Sequence, residues 1–317
     1  MTHAHLRMGD GDEFDAIREM LEEWGTRAHG IGDDAAVLSI PAGELLVAST
    51  DATIEGVHFQ RAWLSAEETG ARAAAAALSD LAAMAATPRG LLLALGVPPA
   101  WKSDLRAIAR GIGTVAQSVG CPILGGNVTS ASELSLTITV FGSAARPLRR
   151  SGGSVTDIIF VTGALGGPGA ALRALQAGVA LSAALRERFV APRPRIREAG
   201  WLAEQGARAA IDISDGLVAD AGHLARASGL SCTLDLETVP RHEGVHINEA
   251  IASGEEYELL VAMPASTLAS ELSAAFLERF GIPLTAVGRL MATSPHAVLM
   301  DGLPGKPPRG HDHFGAR

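Results

Sequence analysis

Acidic side chains follow several apolar segments of this sequence, and their setting favours chemistry on a bound cation. The motifs are GIGDDAAV with Asp33 and Asp34, STDATIEGVHF with Asp51 and Glu55, ALSDLAAMAA with Asp80, and IDISDG with Asp212 and Asp215. Few Lys or Arg residues lie near them in sequence to neutralise their charge. Because Mg²⁺ binds carboxylates, Ser/Thr hydroxyls and substrate phosphates, the motifs together predict a divalent-cation site.

Asp80 carries most of this argument. Between Ala71 and Ala86 the only charged residues are Arg72 and Asp80, in a segment of Ala, Leu and Met. A helix of this composition packs closely on all sides, so we expect Asp80 to be buried. A buried carboxylate is costly unless it is paired or bound to a metal. The alternative is that Asp80 caps a neighbouring loop or pairs with an Arg.

Each of the other motifs also has a purely structural interpretation. GIGDD is typical of a solvated turn, since Gly and Asp are common turn residues. STD could form a helix cap or an Asx turn. In IDISDG, either Ser214 or Asp215 could cap the following helix. Only the four motifs together favour a cation.

Glycine-rich segments add the possibility of an anion site. GIGDD, LGGNVTS and VTGALGGPGAAL expose backbone that could approach a phosphate, and the last of them opens a helix. None is followed by the Gly-Lys-Ser/Thr of a Walker A loop, and none has the dinucleotide spacing G-x-G-x-x-G. With the acidic motifs they indicate a metal–phosphate site outside the common nucleotide folds.

Composition excludes some classes of function. The formal net charge is -9 and there is no basic stripe, which argues against a nucleic-acid partner. The sequence has no run of about twenty apolar residues, so it does not predict a membrane span. The N-terminus lacks the pattern of a signal peptide. Cys121 and Cys232 are the only cysteines, so we expect a reducing, cytoplasmic environment.

Strands alternate with helices along the chain, which predicts an α/β (α+β) fold. In the first half we expect a helix over DEFDAIREMLEEW, a strand over ELLVASTD, a helix over SAEETGARAAAAALSDLAAMAA with a Ser65–Glu68 capping box, and a half-buried, antiparallel strand over ELSLTITVFGSA. In the second half, DIIFVTGALGGPGAALRALQAG and RAAIDISDGLVADAGHLARASG each predict strand, loop and helix, and SGEEYELLVAMP predicts a turn and a strand. The turn-rich segment RPLRRSGGSVT separates domains 1–147 and 148–317.

The motifs of this sequence, taken in order, resemble those of a known family. The motifs GDEFDAI, GIGDDAAV, STDATIEGVHF, LSDLAAMAA, GGNVTS, RRSGG, APRPR, IDISDGL and SGEEYELL occur in the order found in thiamine-monophosphate kinases and cover nearly the whole chain. These are ATP-dependent members of the aminoimidazole-ribonucleotide-synthetase-like superfamily. The resemblance implies an N-terminal sheet domain that forms a homodimer and a C-terminal α/β domain that completes the ATP and substrate site.

The resemblance also implies a role for individual residues. Mg²⁺ ligands would be Asp34, Ser49, Thr50, Asp51, Asp80, Asp212 and Asp215. ATP contacts would be Gly126, Asn127, Arg150 and Ser214, and thiamine monophosphate contacts would be His58, Glu255 and His311. The implied reaction is direct in-line transfer of the γ-phosphoryl group to an acceptor that is already an anionic phosphate, so no catalytic general base is needed.

Two departures from the family pattern keep a second hypothesis open. Asn127 stands where the family often has Asp, and His311 stands where an aromatic substrate contact is expected. They motivate the alternative of a non-catalytic paralogue that binds nucleotide or thiamine phosphate. Other superfamily members are disfavoured, because selenophosphate synthetase needs a reactive Cys or selenocysteine near its N-terminus and the hydrogenase-maturation member ends in a Cys-bearing tail, whereas this chain ends in DHFGAR.

Overall fold

A computed structural model describes residues 11–301, and within this range the chain divides into two compact units. The first unit comprises the residues up to Leu81 together with Thr87–Ala145, and the second comprises Ala82–Ala86 and the residues from Arg146 onward. The predicted functional domains, 1–147 and 148–317, stay a prediction, because a division of contacts does not show what each part does.

The first unit is built on a mixed sheet. Its elements are α1 (Asp12–Trp24), β1 (Leu45–Ile54), α2 (Ala66–Ala83), β2 (Thr87–Val97), α3 (Leu105–Ser118), β3 (Ile123–Ser130) and β4 (Ser135–Ala144). The strand order is β1-β4-β2-β3, with β4 antiparallel to both neighbours and β2 parallel to β3. The antiparallel strand predicted from ELSLTITVFGSA is confirmed. β1 continues to Ile54, so Asp51 lies inside this strand and not at its end as the sequence suggested.

Alternation along the strands gives this sheet an inner and an outer face. Leu136, Ile138 and Val140 of β4 are buried on the inner face, and Thr137 and Thr139 are half-buried on the outer face. Residues paired across antiparallel strands point to the same side. Each residue of β1 can therefore be assigned to a face from its partner on β4.

The Ala-rich helix α2 begins as predicted. The Ser65 N–H donates to Glu68 Oε2 at 2.8 Å, and the Glu68 N–H donates to Ser65 Oγ at 3.2 Å, which is the expected capping box. The helix ends at Ala83, before the predicted end at residue 86, and Ala85 follows with φ +49°. Ala has no side-chain bulk to keep neighbours at a distance, and the buried core of α2 reflects this.

Backbone contact joins α2 to α3. A Cβ atom on Gly111 of α3 would lie 1.9 Å from the Glu67 carbonyl oxygen, and one on Gly70 of α2 would lie 2.2 Å from that of Ile108. Any other residue type at these two positions would force the helices apart. The two glycines therefore set the distance between the helices and, with it, the position of Asp80 near the C-terminal end of α2.

The second unit is built on a larger sheet. Its elements are β5 (Ile158–Thr162), α4 (Gly167–Gln176), α5 (Ala183–Val190), α6 (Ile196–Glu204), β6 (Ala209–Asp212), α7 (Leu217–Ala227), β7 (Ser231–Asp235), α8 (Ile247–Ala250), β8 (Leu259–Met263), α9 (Ala269–Phe280), β9 (Leu284–Met291) and β10 (Val298–Asp301). The strand order is β10-β7-β9-β5-β8-β6. The predicted sequence of strand, loop and helix is confirmed for both segments of the second half.

This sheet is covered on both faces. Ile159 and Val161 of β5 pack into a core that includes Leu217 and Leu224 of α7, while Phe160 packs on the other side with residues of α6 and α9. Strands buried on both faces read as continuous apolar runs, as IIFVT and LLVAM do. Polar residues at the ends of these strands are therefore the exceptions in this unit. Among residues 11–301, no helix is long and apolar enough to cross a membrane.

Candidate metal and phosphate site

The first cluster of predicted ligands joins β1 to α2. Ser49 Oγ donates a hydrogen bond to Asp80 Oδ2 at 2.5 Å across 31 residues of sequence. Ser49 pairs with Val140, so its side chain lies on the inner face of the first sheet. Asp80 is half-buried, which corrects the expectation of a buried carboxylate. The hydroxyl and the carboxylate form a pair of oxygen donors at the end of a buried helix.

Asp51 shares the inner face with Ser49, because the two are separated by one residue on the same strand. Its Oδ1 accepts a hydrogen bond from the N–H of Ala52 at 2.8 Å. This contact between adjacent residues is neither the helix cap nor the Asx turn that the sequence left open for STD, since an Asx turn joins the side chain to the backbone two residues on. It occupies one carboxylate oxygen in a neutral contact with the chain's own backbone.

Thr50 points the other way. It pairs with Thr139 in the sheet register, and the two Oγ1 atoms lie 3.0 Å apart on the outer face. Consecutive residues of a strand point to opposite sides. The Thr50 hydroxyl is therefore separated by the sheet from the side chains of Ser49 and Asp51, although the resemblance grouped all three as metal ligands.

Asp34 lies in the exposed turn that follows the GIG sequence, in keeping with the solvated-turn interpretation of that motif. Within residues 11–301, Asp34, Asp51 and Asp80 do not form a group of carboxylates whose oxygens all lie within 4.8 Å of one another. The structure thus brings Ser49 and Asp80 together and leaves Asp34 outside that contact.

His58 follows β1 in a tight turn. Its N–H donates to the Ile54 carbonyl at 2.9 Å, and its Nδ1 accepts from the Ile54 N–H at 3.1 Å. Because Nδ1 is the acceptor, the proton of the neutral ring is on Nε2, which is thereby a donor. In the same turn, the indole N–H of Trp101 donates to Glu55 Oε2 at 2.8 Å. The turn presents His58 in a defined tautomer.

Gly126 and Asn127 lie in β3, and both are exposed. A Cβ atom on Gly126 would lie 1.9 Å from the Leu93 carbonyl oxygen, so this glycine allows β3 to approach β2. The two residues also line a small, mainly apolar pocket of about 70 Å³ together with Trp24 of α1. Gly126 therefore has a structural reason to be glycine that is independent of any bound nucleotide.

The second cluster of predicted ligands surrounds the IDISDG loop between β6 and α7. Asp212 is buried at the end of β6, whereas Ser214 and Asp215 are half-buried in the loop. Helix α7 begins at Leu217 after Gly216, and no side chain at the N-cap position accepts a hydrogen bond. The interpretation of Ser214 or Asp215 as a side-chain cap of this helix is therefore wrong.

Asp220, one turn into α7, holds the loop instead. Its Oδ2 accepts hydrogen bonds from the N–H groups of Ser214 at 3.1 Å, Asp215 at 3.0 Å and Gly216 at 3.1 Å. The cap thus reaches back from inside the helix to the loop before it. The Asp215 side chain is left out of this capping, which is compatible with a role as a ligand.

Burial and neighbouring charge both act on Asp220. The pKa of Asp220 is raised to about 7: burial raises it most, the hydrogen bonds from the loop N–H groups lower it, and the Asp215 and Asp212 carboxylates raise it. Asp215, Asp220 and His223 each offer a ligand atom within 4.8 Å of the others. Three carboxylates in close proximity repel one another, so a cation near the loop would relieve a cost that the fold imposes.

Cationic side chains lie beside the same loop. Burial lowers the pKa of His223, and so do the nearby guanidinium groups of Arg226 and Arg150, whereas Asp215 raises it. Arg150 is exposed, and its carbonyl oxygen accepts from Ser228 Oγ at 3.1 Å. The predicted ATP contact Arg150 and the predicted metal ligand Asp215 thus both influence the pKa of His223, in opposite directions.

Glu255 is held next to the loop by its backbone. Its N–H donates to the Ser214 carbonyl at 2.8 Å, and the Tyr257 N–H donates to the Ile213 carbonyl at 2.9 Å. A Cβ atom on Gly254 would lie 2.6 Å from the Ser214 carbonyl oxygen, so only glycine fits there. The structure brings Glu255 and Ser214 together. His311, the remaining predicted contact, lies outside the described residues.

Comparison with known proteins identifies the family. The family model for the AIR synthase related protein, N-terminal domain, matches residues 32–144, and the model for the C-terminal domain matches residues 155–300. The thiamine-monophosphate kinase of Salmonella typhimurium is 34% identical over 95% of this chain and 95% of its own. This chain belongs to the thiamine-monophosphate kinase family.

Solved structures of this family have the same fold. The thiamine-monophosphate kinase of Stenotrophomonas maltophilia is 32% identical, with a TM-score of 0.80 over 93% of this chain and 97% of that one. The complex of AaThiL with AMPPCP and TMP is 29% identical, with a TM-score of 0.76 over 95% and 96% of the two chains. The two-domain α/β fold implied by the sequence resemblance is confirmed.

Sequence reasoning missed Asp220 and His223. The signal for Asp220 was the spacing in DGLVAD, which places an acid in the first turn of a helix that follows a polar loop.

The two cysteines, Cys121 and Cys232, are both buried. Burial raises the pKa of the Cys121 and Cys232 thiols to about 12, so neither is suited to act as a thiolate nucleophile.

Proposed function

We propose that this chain transfers the γ-phosphoryl group of ATP to thiamine monophosphate and so forms thiamine diphosphate and ADP. The observation that carries the proposal is the likeness, over 95% of the chain, to AaThiL complexed with AMPPCP and TMP. AMPPCP is an ATP analogue, and thiamine monophosphate is the substrate named by the family. The comparisons do not favour the alternative of a non-catalytic paralogue.

The donor atoms in both units fit Mg²⁺. Ser49 and Asp80 supply a hydroxyl and a carboxylate in contact, and Asp212, Asp215 and Asp220 crowd three carboxylates around one loop. All are oxygen donors, which hard divalent cations prefer. When bound, Mg²⁺ would neutralise charge on the two phosphates that must approach each other.

We assign the residues to roles as follows, with Thr50 restricted to its main-chain oxygen because its hydroxyl lies on the outer face. Mg²⁺ would be held by Asp34, Ser49, Thr50, Asp51, Asp80, Asp212 and Asp215. ATP would be contacted by Gly126, Asn127, Arg150 and Ser214, and thiamine monophosphate by His58, Glu255 and His311. Asp220 positions the loop that carries Ser214 and Asp215.

The reaction needs positioning more than acid–base chemistry. An oxygen of the thiamine phosphate is already anionic at neutral pH, so it can attack the γ-phosphorus of ATP without losing a proton to the protein. The bond from that phosphorus to the ADP oxygen breaks as the new one forms. Arg150 would draw ATP by its positive charge, and His58 would donate a hydrogen bond from Nε2.

We also propose that the chain forms a homodimer through the outer face of the first sheet. Leu46 of β1 is 54% exposed, and its neighbours along this face include Ala48 and the half-buried Phe141. The inner face of β4 is buried, so the exposed apolar side chains of the outer face are the ones available to a partner. A second copy would cover it. The cytoplasmic location and the functional roles of domains 1–147 and 148–317 stay predictions from the sequence.

Purified protein tests the function directly. Incubation with ATP, MgCl₂ and thiamine monophosphate should yield thiamine diphosphate, detected by chromatography of the fluorescent thiochrome derivatives. Omitting Mg²⁺ or adding excess EDTA should abolish product. Binding of both ligands without product would support the non-catalytic paralogue.

A further inference from the structure

The segment from Ser253 to Glu258 has an unusual backbone. Glu255 has φ +57° and Tyr257 has φ +52°, although neither is glycine. The left-handed region is unfavourable for a non-glycine residue, and such conformations persist only where the surroundings enforce them. Glycine at either position would avoid the cost. Two strained residues separated by one position indicate that this segment is held by strong contacts elsewhere.

The side chains of Ser253 and Glu256 supply part of that hold. The N–H of Gly169 donates to Ser253 Oγ at 3.0 Å, and the N–H of Gly166 donates to Glu256 Oε1 at 2.6 Å. Both donors belong to the glycine-rich turn that opens α4. Ser253 and Glu256 are buried. The segment is therefore attached to the start of α4 at two points that flank Glu255.

Glu258 supplies a third point of attachment. Its Oε2 accepts from Thr162 Oγ1 at 2.6 Å, and Arg195 donates to both of its carboxylate oxygens, from Nε at 2.8 Å and from a terminal nitrogen at 2.6 Å. A bidentate pair of this kind neutralises Glu258 and satisfies its acceptors. Arg195 and Thr162 therefore satisfy both carboxylate oxygens of Glu258.

Arg188 of α5 adds longer contacts to the carboxylates of this segment, and its shortest contact is with the main chain. It donates from a terminal nitrogen to the Glu256 carbonyl oxygen at 2.6 Å. The same nitrogen lies 3.4 Å from Glu256 Oε2 and 3.3 Å from Glu258 Oε1. The carbonyl it binds belongs to the one residue between the two strained positions. Arg188 thus fixes the orientation of the peptide that joins Glu256 to Tyr257.

We propose that Arg188 is a positioning residue for the acceptor substrate, acting through the Glu256 carbonyl to hold Glu255 beside Ser214. The inference rests on the proposed function, in which Glu255 contacts thiamine monophosphate and Ser214 contacts ATP. The Glu255 N–H to Ser214 carbonyl bond of 2.8 Å places the two residues side by side, and Asp220 holds the N–H of Ser214 independently of Arg188. In this proposal Arg188 acts through the main chain and not by contact with a substrate.

The test compares Arg188→Met with Arg188→Lys and with a matched control. The control is Arg208→Met, because Arg208 binds the buried Asp157 at 2.9 Å at the opposite end of the same strand pair. For each variant, the dissociation constant of thiamine monophosphate is measured by calorimetry, and KM and kcat are measured with each substrate varied.

Arg188→Met should raise both the dissociation constant and KM for thiamine monophosphate about tenfold, since a small displacement of a contact residue has effects of that order or larger. KM for ATP should change less than about twofold, and Arg188→Lys should recover part of the loss because it keeps a donor. Arg208→Met should lower the melting temperature and leave both KM values near those of the parent. Equal effects of Arg188→Met and Arg208→Met on KM would overturn the proposal.

A double-mutant cycle gives a second, independent result. If Arg188 acts through Glu255, adding Arg188→Met to Glu255→Ala should change the dissociation constant of thiamine monophosphate less than about twofold. Additive losses would refute the positioning role while leaving the kinase activity of the parent intact. Failure of the parent itself to form thiamine diphosphate would refute the proposed function, and the cycle would still be decided by calorimetry. A parent that does not bind thiamine monophosphate would overturn both.

Discussion

The cap that Asp220 provides for the IDISDG loop should be separable from the charge that it carries. We predict that Asp220→Ala lowers both stability and turnover, whereas Asp220→Asn preserves most of the stability. Asn retains a carbonyl oxygen at the position of Oδ2, so it can accept from the N–H groups of Ser214, Asp215 and Gly216. Ala offers no acceptor to any of them.

The magnitude follows from the three hydrogen bonds. At about 1 kcal/mol for each bond, Asp220→Ala should cost about 3 kcal/mol, and more where the Gly216 N–H stays buried without water. Asp220→Asn should cost less than about 1 kcal/mol, because the bonds remain and repulsion from Asp212 and Asp215 is relieved. Turnover of Asp220→Ala should fall at least about tenfold, since the loop no longer holds the proposed ligands in place.

The assay pairs urea unfolding, followed by tryptophan fluorescence and circular dichroism, with steady-state formation of thiamine diphosphate. Glu271→Gln is the control, because Glu271 is an exposed carboxylate in the first turn of α9 and makes none of the three loop contacts. If Asp220→Ala and Asp220→Asn unfold at the same urea concentration, the capping bonds do not stabilise the loop and the reasoning fails.

Three further predictions concern the metal ligands, the assembly and pH. Asp212→Asn and Asp215→Asn should each keep the melting temperature without Mg²⁺ and lower turnover about a hundredfold or more; near-parental turnover in both would remove them from the metal site. Sedimentation equilibrium at micromolar concentration should give twice the chain mass of 32.6 kDa, and a single-chain mass would contradict the dimer. Burial raises the pKa of Glu256 from its ordinary 4.5 to about 7, so its contribution to stability is complete below pH 4.5 and lost as the pH rises through 7. Glu256→Gln should therefore gain up to about 3 kcal/mol in unfolding free energy relative to the parent between pH 5 and 8, and a pH-independent difference would contradict this.

Period and capping rules predicted the elements well because they act over a few residues. The Ser65–Glu68 box and the alternation in β4 were both local patterns, and both are confirmed. The same rule of alternation, applied to STD, would have placed Thr50 on the face opposite Ser49 and Asp51. The family resemblance grouped the three by position in the chain, where the direction of a side chain is not visible.

The contacts that organise the loops were harder to predict because they join distant parts of the chain. Arg188 and Glu256 are 68 residues apart, and neither residue belongs to a local pattern with the other. Asp80 was expected to be buried from the apolar composition of α2, yet Ser49 approaches it from another element and it stays half-exposed. A signal existed in EEYE, where charged residues directly precede a strand buried on both faces and therefore need partners inside the protein.

The Ala-rich composition of α2 has a consequence for the entropy of folding. Alanine side chains have no rotamers, so ordering Ala73–Ala77 costs almost no side-chain conformational entropy, and their burial is accordingly inexpensive. What little freedom such a helix retains is motion of the backbone as a whole, and the glycine contacts with α3 restrict that as well. Asp80 therefore lies on an element with few alternative conformations. Its carboxylate is already ordered before a ligand binds, so binding costs little conformational entropy at this residue.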